Sequence, residues 1–488
     1  MAVVVVLHLA PDHDSRLVDL LASCSILPVR PLVEAVEVEP DVIYVVPPDR
    51  SVLARNGALA VRERRRNGDH HPVDDLFAAL AAAFGERASA VVFSGTGSNG
   101  SAGLAEVRAV GGWVLAQSPE TAEFDEMPRR AIATGLVDLV LPPGEMAGRL
   151  ARNVRRPRTP APPATAKDDG APPPERTAAG AGLRASDPMT RILVTLRARA
   201  GIDFRQYKPG TLQRRIERRL HLLDLHGLDQ YVEYLRQHER EADALVHDLL
   251  IAVTSFFRDE EAWRALCERA IAPLAKGRSP DDGLRAWVAG CATGEEAWSV
   301  AICLFEARQA HDGAFPIEIF ATDASRAVLS RAREGVYPAA AVQHLSPERR
   351  DRWFDRRDDT VTVKSELREA MIFAPQNLAQ DPPFSRADLI VCRNVLIYLQ
   401  PELQRKLIRL FHFSLKEGGY LFLGNVESVG DADDLFETVD KPARLFRRIG
   451  PTRHDLVDFP VMRSGRGGAP RAPPRCRAGS PSGPPSVR

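Results

Sequence analysis

Two adjacent acids, Glu295 and Glu296, follow the small-residue turn Gly290 to Gly294 and open a helix, directly after the apolar run Leu284 to Ala289. A strand that leads through such a turn into a helix places it at the carboxyl edge of an open α/β sheet, where glycines let a ligand approach the backbone. Two carboxylates there repel phosphates and suit a cationic amino group, which disfavours a nucleotide phosphate cradle. The next apolar run, IEIFATD, ends in Asp323, placed to accept hydrogen bonds from two ribose hydroxyls. Capping the following helix is the other use of an aspartate at that point, and these features leave both open.

Other patterns carry weaker chemistry. Gly95, Gly97 and Gly100 spell GxGxxG between a strand-like and a helical run, with Glu120 further on, so the dinucleotide fingerprint is met on paper. Arg214, Arg215, Arg218 and Arg219 form a basic stripe beside the apolar face set by Leu212, Ile216, Leu220 and Leu223, which by itself reads as a solvated surface. Phe256 and Phe257 read as core. Cys291 and Cys392 read as small buried residues, and Arg393 as a solvated charge. The six cysteines show no metal-ligand spacing, so no metal is expected.

The elements that must position these residues fall into blocks. Strand-like runs at Val3 to Leu7, Val42 to Val46, Ala90 to Ser94, Trp113 to Gln117 and Val137 to Leu141 alternate with helical ones, which implies a parallel α/β sheet in residues 1–152. Residues 153–187 are rich in proline and alanine and read as a disordered linker. Helical patterns fill 188–260. An open α/β domain with strands at Leu284 to Ala289, Ile317 to Thr322, Ala387 to Cys392 and Tyr420 to Gly424 fills 261–450, and 451–488 read as a disordered basic tail. Lysine plus arginine equals aspartate plus glutamate at 65 each in the 488 residues, which argues against nucleic acid as the main partner. No run approaches the length that spans a bilayer, so a cytoplasmic protein without membrane insertion is expected.

Six segments in order, VTSFFRDEEAW, WVAGCATGEEAWS, IFATDAS, NLAQDPPF, DLIVCRNVLIYL and GGYLFLGNVES, resemble the chemotaxis receptor methyltransferase family, CheR. The resemblance implies a small all-α bundle, then a Rossmann-like class I methyltransferase domain with a small antiparallel β-subdomain, and S-adenosylmethionine as cofactor. It implies that Thr254 and Arg258 lie over the cofactor, with Arg258 near the transferred methyl. Glu296 would hold the ammonium beside Glu295, Asp323 the ribose, and Asn377 and Leu378 the adenine. Asn394 and Val395 would line the site, and Tyr398 would face the acceptor pocket. Ala252 departs from members that carry asparagine there. The Arg214, Arg215, Arg218 and Arg219 helix would dock on methyl-accepting receptors, and two short strand patterns between Asp358 and Pro375 would form the β-subdomain. Its loop Asp355 to Asp359 lacks the glycine with which some relatives bind a receptor tether.

The runs VVLHLAPDHDSRLVDLL, IYVVPPDRSVL, VVFSGTGSNGSAGL and QSPETAEFDEMPRRAIATGLVD resemble the CheB methylesterase family, in truncated form. His8 stands where that family has its base, and Asn99 stands where it has the aspartate that orients the base. The chain begins after the expected serine nucleophile. The expected activity is therefore O-methylation of receptor glutamates without methylesterase activity. The alternatives are a non-catalytic receptor-binding scaffold and methylation of another acceptor.

Overall fold

The structure, a computed structural model, describes residues 1–7, 16–48, 50–55, 58–63, 71–97, 99–101, 103–155, 187–250, 254–311 and 313–452. His8, Ala252 and most of the expected linker and tail lie outside these residues.

The N-terminal part holds two parallel three-stranded sheets rather than the one expected. One runs Val3–Val5, Ile43–Val45, Val29–Pro31, the other Ser89–Val92, Trp113–Gln117, Leu139–Leu141. An antiparallel hairpin, Arg50–Arg55 with Ala58–Glu63, lies between them in sequence. The helix Pro72–Phe84 explains how two sheets share one domain. Leu76 and Ala79 belong to the core around Tyr44 and Leu59, whereas Val73, Phe77 and Ala81 belong to the core around Ala90 and Val114. A helix apolar on both sides is buried between layers instead of lying on one.

Four helices, Pro188–Ala200, Pro209–Leu222, Leu228–Gln237 and Glu239–Leu250, pack around Leu196, Phe204, Ile216, Tyr231 and Leu245. The first starts sharply because Asp187 accepts a hydrogen bond from the Thr190 amide and Pro188 occupies the first helical position.

The second α/β part is a seven-stranded sheet in the order Met371–Pro375, Ile317–Asp323, Leu284–Ala289, Ala387–Cys392, Leu415–Leu423, Leu445–Arg448, Phe436–Asp440. The first five strands are parallel and the last two run antiparallel. Alternation along Leu284–Ala289 divides the core: Ala286 and Val288 face one helical layer, and Trp287 and Ala289 face the other. A separate antiparallel sheet joins Val336–Pro338, Thr360–Val363 and Phe354–Arg357. Of the two strand patterns assigned to that subdomain, Met371–Pro375 instead pairs in parallel with Ile317–Asp323 in the large sheet. The expected loop Asp355 to Asp359 begins as strand, and the turn is made at Asp358, whose φ of 49° is left-handed. No helix among the described residues is long and apolar enough to cross a membrane.

Candidate active site

A cleft of about 1060 Å³, its open mouth included, lies at the carboxyl ends of Leu284–Ala289, Ile317–Asp323 and Ala387–Cys392, where open α/β sheets bind ligands. Of the nine residues expected at a cofactor site, Thr254, Arg258, Glu296, Asp323, Asn377, Leu378, Asn394 and Val395 line it, as does Tyr398. Glu295 does not; its carboxylate accepts the Thr293 hydroxyl, 2.7 Å away.

The turn after Leu284–Ala289 presses closely on its surroundings. Gly290 has φ 77°, and a Cβ there would sit 2.5 Å from Val395 Cγ2, so only glycine fits. Glu296 is buried in the first turn of the helix Glu295–Ala310. Burial pushes its carboxyl up to about 7, although the Arg393 guanidinium pulls the other way. A carboxylate desolvated to this degree is matched to a cationic partner. Asp323 takes amide hydrogen bonds on both oxygens, from Ala292 at 3.0 Å and Ser325 at 2.8 Å. Capping is done instead by Ser325, whose hydroxyl accepts from the Val328 amide. Each Asp323 oxygen keeps a lone pair to accept from a hydroxyl.

Arg393 lies inside the protein, not in solvent. Its side chain is 0% exposed and donates to Asp259 Oδ2 at 2.8 Å, the Arg258 carbonyl at 3.0 Å and Glu296 Oε2 at 3.4 Å. Its guanidinium stacks 4.7 Å from the Phe422 ring centre. One buried cation thus ties the segment carrying Arg258 to the first turn of the helix Glu295–Ala310. Arg258 itself forms no ion pair among the described residues, which leaves its guanidinium available in the cleft. Phe256 and Phe257 pack edge-on against Tyr337, Phe354 and Trp263 as core.

A second fastening holds the turn that carries Asn394, Val395 and Tyr398. The buried Glu427 carboxylate accepts the amides of Gly424 at 2.7 Å, Leu396 at 2.7 Å, Asn394 at 2.9 Å and Ile397 at 3.3 Å. Asn394 is left-handed at φ 59°, and a Cβ on Gly424 would meet the Asn394 nitrogen at 2.8 Å. From the other side, Lys208 donates its amide to the Tyr398 carbonyl at 2.8 Å, and the Gln400 amide bonds Gln206. Ile202, Gln206, Tyr207, Leu249 and Leu250 complete the cleft, so the helical bundle forms one wall. Burial raises the Tyr398 hydroxyl, with Arg215 and Arg258 opposing, so it stays a protonated hydrogen-bond donor at neutral pH.

The basic helix Pro209–Leu222 departs from its expected role. Arg215 and Arg218 are buried, Arg219 is largely so, and among the four only Arg214 is exposed. Arg215 donates to the carbonyls of Arg108 and Ala109 at 3.2 and 2.9 Å. Arg108 of the N-terminal part bonds both Asp138 and Asp248, and Arg218 bonds the same two acids. Arg219 pairs with Glu241 at 2.6 Å. The stripe is therefore a buried ionic junction between the first domain and the bundle, not a free docking face. Periodicity cannot reveal this, because the covering groups come from other elements, from 22 to 107 positions away.

Burial would push the Asp248 carboxyl up, but Arg108 and Arg218 hold it below its ordinary value. Asp248→Ala strands these cations, and an expected loss of about 3–5 kcal/mol should appear as a lower urea midpoint. An unchanged midpoint would contradict the junction.

Asn99 caps the helix Pro72–Phe84, its side-chain oxygen taking the amides of Val73 at 3.2 Å and Asp74 at 3.4 Å. The GxGxxG loop is filled by protein: a Cβ at Gly95 would meet the Met127 sulfur at 2.5 Å, and the Gly97 amide donates to Glu126. A carboxylate already on that amide opposes a pyrophosphate there. Burial raises the thiols of Cys291 and Cys392, as fits unreactive residues. No group of three or more His, Cys, Asp or Glu suited to a metal occurs among the described residues.

Residues 252–445 match the family model described as CheR methyltransferase, SAM binding domain; 188–250 match its all-alpha domain, and 1–150 match CheB methylesterase. The chain is 37% identical over 470 residues to an uncharacterized 104.1 kDa protein of Rhodobacter capsulatus, across 95% of this chain and 49% of that one. It therefore spans about half the length of that relative. It is 33% identical over 277 residues to Cher3 of Pseudomonas putida, across 54% of this chain and 98% of Cher3. With the chemotaxis protein methyltransferase of Vibrio parahaemolyticus it shares 37% identity over 190 residues, 38% of this chain and 68% of that protein.

Proposed function

Because the chain belongs to the CheR methyltransferase family, with a CheB-type methylesterase domain fused ahead of it, we propose that it methylates glutamate carboxylates of chemoreceptors from S-adenosylmethionine. The observation that carries this reading is the buried Glu296 carboxylate lining the same cleft as Asp323, an acceptor set matched to an ammonium and to ribose hydroxyls. When bound, S-adenosylmethionine supplies an electrophilic methyl on a sulfonium, so the acceptor carboxylate, already ionised at neutral pH, needs no general base.

The protein's task is then placement. Thr254 and Val395 line the methyl donor's path, and Asn377 and Leu378 flank its base. Arg258 holds the acceptor carboxylate in line through its free guanidinium, and Tyr398 fixes the geometry by donating a hydrogen bond. The bundle wall keeps water from the reacting atoms. Arg214, the exposed member of the basic helix, is the one of its four arginines left to meet an acidic receptor helix.

Calorimetric titration with S-adenosylmethionine, followed by tritiated-methyl transfer to receptor-containing membranes, tests the proposal. Saturable heat and base-labile label support it. Absence of heat, or label resistant to mild base, would defeat it.

The first domain is proposed to lack esterase activity. An amide at position 99 cannot stabilise a histidine cation, and in serine hydrolases the same change lowers turnover about 10⁴-fold. Methanol release from methylated receptors is expected at the background rate; release well above it would restore the esterase reading.

A further inference from the structure

Cys267 and Cys303 are separated by 36 positions in the sequence, yet their sulfurs lie 2.9 Å apart. That is less than an ångström beyond the covalent S–S length of about 2.05 Å. Cys303 sits in the helix Glu295–Ala310 and is 2% exposed, whereas Cys267 is partly exposed. Cys267 also opens a five-residue π-helical turn, Cys267–Ile271, a local widening that recurs at functional sites. The thiols are unequal: the hydrogen bond they share and the nearby Arg349 charge lower Cys267 against burial, while that same bond and burial raise Cys303.

We propose that Cys267 and Cys303 form a reversible dithiol–disulfide site that takes hydroperoxides as its oxidant. The Cys267 sulfur, the more accessible and more acidic of the two, attacks a peroxide oxygen. An S–O bond forms, the O–O bond breaks, and the leaving oxygen departs as water or an alcohol with the thiol proton. The Cys303 sulfur then attacks Cys267. An S–S bond forms, the S–O bond breaks, and the hydroxyl leaves as water with the Cys303 proton. The peroxide gains two electrons and the sulfurs supply them; a dithiol reductant reverses the change. The crosslink would join the helical segment that follows Arg258 to the helix Glu295–Ala310, which carries Glu296, so it ties together two elements that supply residues to the cleft.

The test uses the reduced full-length chain, treated with a few equivalents of hydrogen peroxide, alkylated and digested. A peptide pair joined through Cys267 and Cys303, two hydrogens lighter and released by dithiothreitol, is expected to form at least tenfold faster than oxidation of the exposed Cys24. In Cys303→Ser, dimedone should label Cys267 with no crosslink formed. Failure of the unsubstituted chain to form the pair, or oxidation of Cys24 ahead of it, would overturn the proposal without bearing on methyl transfer.

Discussion

Glu296→Gln is expected to weaken S-adenosylmethionine binding roughly a hundredfold, because a desolvated ion pair is replaced by a neutral amide. The larger signature lies in pH. The free protein holds the Glu296 carboxyl at about 7, so below that pH the methyl donor must displace a proton, and its affinity should fall up to tenfold per unit. Glu296→Gln should flatten this slope. Burial also raises Glu295 to about 7, but its carboxylate is bound to Thr293 and does not line the cleft, so Glu295→Gln should leave the slope in place. Stability of the free protein runs the opposite way. The unfolded carboxyl titrates near 4.5 and the folded one near 7, so raising the pH through that window costs stability, and bound methyl donor should remove the loss. Calorimetry between pH 5.5 and 8 measures both; a flat affinity profile in the unsubstituted protein would refute the assignment of Glu296.

Arg258→Ala should act on a different quantity. Its guanidinium is unpaired in the cleft, whereas its backbone carbonyl is fixed by Arg393. Truncating the side chain therefore leaves the walls standing and removes the group proposed to hold the acceptor. Turnover is expected to fall about a hundredfold, the scale of a misplaced reactant, with the methyl donor Kd changed little. Arg258→Lys should recover only part, because an ammonium cannot hold a carboxylate in the planar two-point manner of a guanidinium. Single-turnover rates with saturating methyl donor decide the matter; equal loss of affinity and rate would place Arg258 in methyl-donor binding instead.

The contrast between Glu296 and Arg393 indicates what could be read in advance. Glu296 and Asp323 stand at or just beyond strand ends, which local patterning sets, whereas Asn394 is legible only through the resemblance of its segment to the CheR family. Arg393, beside Asn394, had no such cue, because its role depends on the cavity left by Asp259, Trp263 and Phe422, which come from separate elements. Glu427 is similar: its four amide partners lie in two turns that meet only after the sheet closes. The central strands Leu284–Ala289 and Ala387–Cys392 match their expected limits, each being apolar apart from one charged residue near its start, Arg285 and Asp388. The strand Leu415–Leu423 starts five residues earlier than expected, since LKEGG carries no apolar signal and is ordered by its parallel neighbour. The basic stripe misled for the same reason as Arg393: helical periodicity records which face is charged but not what covers it.

The ionic junction has a consequence for modular exchange. Arg108 and Asp138 belong to one domain and Asp248 and Arg218 to the other; each half holds one cation and one anion, and each arginine also reaches the acid across the seam, so neither half completes its ionic network without its counterpart. A chimera that grafts a foreign leading domain lacking this arginine–aspartate pair would bury Arg218 and Asp248 with half of their ionic partners missing, or else hold the halves apart to keep them wet. Transplanting positions 108 and 138 together should restore a tight seam where either alone fails, which makes the two sites a compatibility code for recombining such fusions.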